Sequence, residues 1–388
     1  MFTNKNLVKI SSFKALIAEK EKIENFSIKS YIEYSRKEIN QKLQENPFSY
    51  LNIISSDEKT QSNHFKKVAE NLKKFKEKNI LKTKDDSIYI YQQVTKKRTF
   101  TGLICGVSTN DYKNKKIKIH EKTIEKRENL FKEYLSKCKI LAEPILLTYK
   151  KNEIIELFIQ KKIKSKPYIK FKSKDKKEHI LWKIDSTREI STIKQHFISI
   201  NLYLADGHHR MASTFLYNQE NKVNNNCLAY IISESHISLE SFYRVIKDIN
   251  QKQKLKLIEF LKEKFRLKKG KVDLLIEKNK INIYLDNRWH NISLINDKNQ
   301  LMVQTLSEKI LKPFFKIKNI RDSNIIEFVP ESKFKLNKMI KSEDIVFCLP
   351  SIEIERIFQF ANENKTMPPK STYIRPKLRT GLLMMELK

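Results

Sequence analysis

FISINLYLADGHHRMASTFLY, residues 197–217, passes from an alternating apolar run, through one glycine, into a helical pattern. Apolar and polar residues alternate over 197–205, which predicts a strand. Over 210–218, Ala212, Phe215 and Leu216 fall on one face of a helix. The junction is Asp206-Gly207-His208-His209-Arg210. A glycine directly after a strand permits a tight turn and close backbone approach by a ligand. The N–H groups that follow open a helix, which makes an anion site. Arg210 offers a planar fork for phosphate or carboxylate. His208 and His209 can donate hydrogen bonds or move protons near neutral pH. Asp206 stands at the strand's C-terminal end, where a base or metal-holding carboxylate is commonly found. The plainer reading makes Asp206 an N-cap and the histidines surface residues. Four chemically capable side chains around a scarce glycine favour the functional reading.

Glycine is scarce indeed. The 388 residues include five, Gly102, Gly106, Gly207, Gly270 and Gly381, where average usage gives about 27. Each survivor is expected to meet a backbone need. The chain is 40% apolar, enough for a sizeable core, and its length allows two domains. We expect a motif-bearing α+β region over 1–250 that carries the active site. A C-terminal α+β region over 251–388 is expected to fold apart or complete that site. The net charge of +33 is mostly lysine scattered along the sequence, accompanied by much Asn and Ile. It forms no basic stripe with interleaved aromatics, so specific nucleic-acid binding is not expected. Weak, salt-sensitive attraction to polyanions follows from the charge itself. No apolar run approaches the roughly 20 residues of a membrane span. MFTNKNLVKI at the start lacks the apolar core of a secretory signal. The four cysteines form no CxxC pair, which fits a reducing cytoplasm.

Outward from the junction the sequence keeps interleaving strands and helices, so the fold class expected is α+β, a mixed sheet with flanking helices. Residues 12–45 read as mixed and helical, and PFSYLNII (47–54) as a short extended piece. Residues 63–79 place Phe65, Val68, Leu72 and Phe75 at helical spacing. SIYIYQQVT (87–95), FTGLICGVS (100–108) and CLAYIIS (227–233) read as strands. Asp111 to Lys116 reads as a polar turn, and 121–137 as a helix. EPILLTY (143–149) and EIIELFIQ (153–160) read as a hairpin, and 161–180 as a polar basic linker. Further on, 251–265 is an amphipathic helix and LLIEKNKINIYL (274–285) a hairpin. Helices at 304–315 and 351–362 frame the strands IIEFVP and DIVFCLP. TGLI (101–104) and TGLL (380–383) each suggest a strand entered through glycine.

Two further segments carry candidate chemistry. His120-Glu121, with Thr123 beside it, stands at the expected start of the 121–137 helix. This pair could supply a base or help hold Mg²⁺ with a nucleotide. Lys370-Ser371-Thr372, with Arg375, Lys377 and Arg379, is stiffened by Pro368, Pro369 and Pro376. A phosphate or acidic ligand suits it. Structural zinc from His120, His208 and His209 is not expected, because adjacent histidines rarely reach one tetrahedral ion.

The segments NPFSYLNII (46–54), IYIYQQ (88–93), TGLICGVSTNDY (101–112) and IKIHEKT (117–123) resemble the domain-of-unknown-function 1015 family, in its Bacteroidetes form. So do EPILLTY (143–149), LYLADGHHR (202–210), RVIKD (244–248) and MPPKSTYIRPKLRTGL (367–382). The Asp-Gly-His-His-Arg element is similar to that of archaeal ADP-dependent free serine kinases, of the ParB and sulfiredoxin-like superfamily. The resemblance implies a partly ParB/sulfiredoxin-like fold and phosphoryl transfer involving serine or phosphoserine in serine metabolism. Asp206, His208, Glu121 and His120 would be catalytic. Gly207, His209, Arg210, Lys370, Ser371 and Thr123 would bind phosphate or substrate. Mg²⁺ and ADP or ATP are the implied cofactors, and a small phosphate ester or nucleotide is the expected partner. The chain departs from the family pattern at Ser12-Phe13, at Ser30-Tyr31-Ile32-Glu33 where many members have Pro-Tyr-Asp, and near Glu331, where a loop glycine is missing. Phosphatase and kinase directions stay open. So do a non-enzymatic nucleotide or nucleic-acid binder of ParB type and a metal-dependent hydrolase built on His120, Glu121, Asp206 and His208.

Overall fold

Burial on both faces of the sheet is what turns the central apolar runs into strands. In Leu81–Val94 and Thr99–Ser108 the inward residues pack while backbone groups pair across the ladder. The computed structural model describes residues 8–270, 277, 279–293, 300–317, 320 and 323–388. The chain divides into two compact units, Met1–Ile237 with Pro376–Lys388, and Ser238–Arg375. The sequence reading placed a single cut at 250. The first unit instead also includes the last thirteen residues, whose ends are tied locally. Tyr217 Oη donates to the Lys388 carbonyl at 2.8 Å, and Lys388 N to Asn225 Oδ1 at 2.9 Å.

The first unit is built on a mixed sheet of twelve strands among the described residues. Its main path runs Ile117–Lys118, Leu202–Asp206, Ile145–Tyr149, Asn226–Ser233, Thr99–Ser108, Leu81–Val94, Phe13–Ala18, Met384–Glu386 and Ile140–Leu141. Leu202–Asp206 lies parallel to Ile117–Lys118 and antiparallel to Ile145–Tyr149. Asn226–Ser233 is parallel to Ile145–Tyr149 and antiparallel to Thr99–Ser108. The α+β class with a mixed sheet is therefore the observed one. Helices Gln61–Glu77, Glu125–Cys138 and His208–Glu220 flank it. Thr60 caps the first of these, its side chain accepting from Asn63 N. The core holds fully buried Tyr91, Tyr149 and Tyr230, with the Tyr230 hydroxyl donating to the Tyr91 carbonyl.

The second unit has an antiparallel six-stranded sheet, ordered Lys268–Lys269, Arg288–Ser293, Lys280–Leu285, Ile345–Cys348, Phe242–Ile246 and Ile326–Pro330. Val245, Val329, Val346 and Cys348 form a buried cluster on it. Its helix Gln251–Lys264 opens with an Asn250/Gln253 capping box. All four cysteines are free and buried. Among the described residues no helix is long and apolar enough to cross a membrane.

Several local expectations are corrected. EIIELFIQ is helix Glu153–Lys162, not a strand. The Asn152 side chain accepts from Ile154 N and Ile155 N, and acidic residues in the first turn and lysines in the last suit the helix dipole. Ile155 and Ile159 are buried at helical spacing, while Ile154 and Leu157 are 58% and 63% exposed. The expected linker contains strands Ile169–Lys172 and Glu178–Ile184, which lysines on the solvent side had disguised. PFSYLNII ends in the short helix Leu51–Ile54, and the polar turn after residue 108 begins as helix Thr109–Lys113. The helix placed at 121 starts at Glu125. The strand read over 197–205 begins at Leu202, because helix Thr187–Phe197 ends on its first residue and a turn at 198–199 follows. At the N-terminal side, Phe13–Ala18 is a strand within the stretch read as mixed and helical. TGLL precedes its strand, which begins at Met384. The hairpin read over 274–285 pairs Lys280–Leu285 with Arg288–Ser293; residues 274–276 and 278 lie outside the described residues, as do the first seven.

Candidate active site around Asp206

Pairing between Leu202–Asp206 and Ile145–Tyr149 slips between Leu204 and Asp206, so that Leu204 faces Leu147 but Asp206 faces Leu146. Such a bulge bends a strand and re-aims the side chain at its end. Gly207 then takes φ +92°, a left-handed conformation that L side chains rarely adopt. A Cβ there would also meet Ile145 Cγ2 at 2.8 Å. Both facts explain why a chain poor in glycine keeps one here. Gly207→Ala is expected to lower folding stability by about 2–4 kcal/mol, combining left-handed strain with overpacking. Urea unfolding would read this, and a midpoint unchanged from the parent protein would contradict it.

Gly207 starts helix His208–Glu220 without a side-chain cap of its own, so the N-cap position leaves the helix start open to a ligand. Its own N–H donates to Asp206 Oδ1 at 2.8 Å. Asp206 Oδ2 accepts from Lys377 Nζ at 2.7 Å. Burial works against the charged carboxylate. The charges of Lys377 and Arg210, together with the Lys377 hydrogen bond, outweigh it and hold Asp206 below the usual range. Asp206 is thus ionised at neutral pH and paired.

Arg210 is half engaged in scaffolding. Its Nη1 donates to the carbonyls of Glu143 and Pro144 at 2.9 and 2.8 Å and lies 3.1 Å from Glu143 Oε1. Thr380 Oγ1 donates to the other oxygen, Glu143 Oε2, at 2.8 Å. Arg210 Nη2 sits close to Gly207, 3.2 Å from where a Cβ would be. Glu143 was not among the residues expected at the site. Its only sequence signal was its place at the start of EPILLTY.

His208 and His120 meet edge to face with ring centroids 4.8 Å apart. They are 7% and 3% exposed. His120 is held by a hydrogen bond to the backbone of Leu204. Its Nδ1, and Nε2 of His208, have no hydrogen-bond partner among the described residues. Burial pushes His120 down to about 4 against the raising charge of Asp206. It pushes His208 well below the ordinary histidine value, with His120 adding to the effect. Both rings are neutral at pH 7, and each keeps a buried polar atom that a ligand could satisfy. His209 is half-buried, and its carbonyl accepts from Ser213 Oγ. Glu121 and Thr123 are half-buried on the connection leading to helix Glu125–Cys138.

The structure thus brings together Asp206, Gly207, His208, Arg210 and His120, and adds Lys377 and Glu143. Lys370 and Ser371 belong to the second unit. There Ser371 Oγ donates to the Pro368 carbonyl at 2.6 Å, and the Lys370 carbonyl accepts from buried Arg244. Among the described residues no group of three His, Cys, Asp or Glu is placed to hold a metal ion.

A family model described as a protein of unknown function, DUF1015, matches residues 10–313. No curated protein matches. Similar solved structures include SbnI with a C-terminal truncation, from Staphylococcus aureus, at 12% identity and a TM-score of 0.37, covering 70% of this chain and 82% of that one. A variant of a free serine kinase in complex with AMP is similar at 13% identity and a TM-score of 0.40, covering 74% and 92%. Another variant of a free serine kinase, in complex with ADP, is similar at 13% identity and a TM-score of 0.39, with the same coverage.

Proposed function

The chain belongs to the DUF1015 family, and from its Asp206 cluster we propose that it transfers a phosphoryl group to or from the hydroxyl of serine. The observation that carries this reading is the uncapped helix start at Gly207, flanked by Lys377, Arg210 and two neutral histidines with unpartnered ring nitrogens. Phosphoryl transfer needs mainly positioning and charge stabilisation, which such a constellation can supply. Serine is the favoured acceptor because of the motif resemblance of Asp-Gly-His-His-Arg.

In the kinase direction the serine Oγ attacks phosphorus, forming one O–P bond as the bond to the donor's bridging oxygen breaks. First-turn N–H groups at 208–210, Arg210 Nη2 and His209 bind the non-bridging oxygens. The hydroxyl proton passes to His208, whose buried ring is neutral and becomes more basic beside a phosphate. Asp206 is a weak base while paired with Lys377, and it orients that ammonium and the Gly207 N–H. In the phosphatase direction water attacks phosphoserine, and serine leaves as the alcohol after taking up a proton. A nucleotide enters as co-substrate. The protein's own donors do not suit a resident Mg²⁺, since Asp206 Oδ2 lies on Lys377 and Glu143 on Arg210 and Thr380. Such an ion would arrive on the nucleotide phosphates.

Phosphorus NMR tests the reading in two tubes with Mg²⁺, one holding phosphoserine and the other serine with ADP or ATP. Inorganic phosphate growing in the first tube, or phosphoserine in the second, is expected. Silence in both, with the protein folded by circular dichroism, rules the proposal out and leaves a binding protein.

A further inference from the structure

The first unit contains a cleft of 360 Å³ whose lining includes none of the residues of the Asp206 cluster. Lys29, Tyr34, Lys42, Lys174 and Arg379 are on its wall. Arg379 is only 8% exposed. Its Nε donates to Ser27 Oγ at 2.9 Å, its Nη2 donates to the Ser27 carbonyl, and its guanidinium lies 5.4 Å from the Phe171 ring centre. All of these partners are neutral. Among the described residues Arg379 and Lys42 have no carboxylate at ion-pair distance, and Asp175 and Glu24 act on Arg379, and Glu45 on Lys42, only from further off. Glu38 bonds its own helix cap and Lys29, Asp175 bonds Lys177, and Glu45 stands 3.9 Å from Lys174.

A buried cation hydrogen-bonded to neutral groups alone is costly, and buried charges are ordinarily paired. Here the cost is compounded by crowding. Burial, and then the like charges of Lys174 and Lys29, press Lys42 towards its neutral form against the smaller opposing pull of Glu45. An anion in the cleft would relieve both. The wall is also stiffened where Arg379 lies. Tyr91 Oη donates to His179 Nδ1 at 2.7 Å, His179 Nε2 donates to Ser173 Oγ at 3.0 Å, and Ser173 Oγ donates to Asp175. This chain leaves His179 neutral, its pKa brought down to about 3 by burial and then by Arg379.

We propose that this cleft is a second anion site, taking the phosphate group of a small phosphate monoester between Arg379, Lys42 and Lys174. A dianion answers to several cations at once, where a single carboxylate would balance only one. The volume suits a small metabolite and falls near the lower end of ligand sites. The inference does not depend on the phosphoryl-transfer reading of Asp206.

Inorganic phosphate is the probe, titrated calorimetrically into the full chain at an ionic strength of about 0.15 M, which screens diffuse surface attraction. Lys42→Gln is expected to weaken binding at one saturable site by about tenfold, the worth of one lost charge-assisted contact. Lys73→Gln removes an equally charged but 79% exposed lysine and should leave that site unchanged. Asp206→Asn should leave it unchanged too. Arg379→Lys is a second variant, read only if it melts as the parent does. The proposal is overturned if the wild-type chain binds no phosphate saturably. It is also overturned if Lys42→Gln binds as tightly as Lys73→Gln, or if only Asp206→Asn weakens the site. Phosphorus NMR of Lys42→Gln keeps the two readings apart, since failure here with turnover intact leaves the Asp206 proposal standing.

Discussion

Replacing Asp206 by asparagine is expected to lower phosphoryl-transfer turnover by about 100- to 1000-fold, the range seen when one preorganised electrostatic group is removed. Asparagine is nearly isosteric and can still accept the Gly207 N–H through its Oδ1, so the turn after the bulge should survive. What it removes is the negative charge beside Lys377, whose side chain is only 16% exposed. That ammonium would lose its 2.7 Å carboxylate contact, and a stability loss of about 1–3 kcal/mol should accompany the change. A loss of activity could therefore be misread as a loss of fold, and a double variant separates the two. Asp206→Asn with Lys377→Met removes both charges and should recover most of the stability. If Asp206 orients the reacting groups, turnover in the double variant stays low. Turnover returning with stability would mean that the carboxylate only neutralises Lys377, and the catalytic assignment would fall.

The junction at 206–210 was legible because several independent signals coincide there. A period-two run stops, a scarce glycine follows, and a helical period starts. The structure adds a reason invisible in one dimension, the bulge between Leu204 and Asp206. His120 was visible as a candidate, yet its contact with His208 was not, because sequence separation says nothing of which strands lie side by side. Leu202–Asp206 pairs with Ile117–Lys118, and that pairing is what carries His120 to the site. The basic C-terminal segment was read as one device when it is two. Lys370 and Ser371 fall in the second unit, whereas Lys377 and Arg379 fall in the first. Nothing in the run of prolines and cations marks the change at Arg375–Pro376.

Helix and strand were confused where burial is asymmetric. EIIELFIQ reads as a continuous apolar run, and short runs of this kind do not declare their period. The deciding signal was Asn152 just ahead of it, whose side chain satisfies two N–H groups that only a helix leaves open. Ile169–Lys172 failed in the opposite sense. Its alternation is clean, but with lysine on the outer face it looks like a polar linker in a chain with lysine everywhere. The same lysine abundance explains why the cleft around Arg379 could not be seen. One buried cation is indistinguishable by type from dozens of solvated ones until burial is known.

Acid should unfold the first unit through its histidines before its carboxylates are titrated. His120, His179 and His208 are buried and neutral, with folded-state values of about 4, about 3 and well below the ordinary 6.5. Burial is the first cause in each. The unfolded chain takes up these protons near pH 6.5, and the folded chain resists until far lower. Between those limits the unfolded state binds more protons, so stability falls as pH falls. The contribution is complete above about pH 6.5 and declines towards the folded-state values. Asp175, brought to about 2 by Lys177 and Ser173 against the cost of burial, acts lower. Its contribution is present above the ordinary aspartate value of 3.8 and is lost only below it. The two windows therefore separate. Urea unfolding followed by circular dichroism, stepped from about pH 7.5 to about pH 4.5, should lose on the order of 2–3 kcal/mol for each of His120 and His179 in the histidine window. His179→Gln can keep hydrogen bonds to Tyr91 and Ser173 but cannot titrate, so it should flatten that decline. A stability flat from neutrality to about pH 4.5, or a decline identical in His179→Gln, would mean that the buried histidines reach water or gain partners as they charge. The arrangement of His120 against His208 would then have to be open enough for a proton to enter without cost, which is also what a proton-accepting role for His208 would require once phosphate is bound.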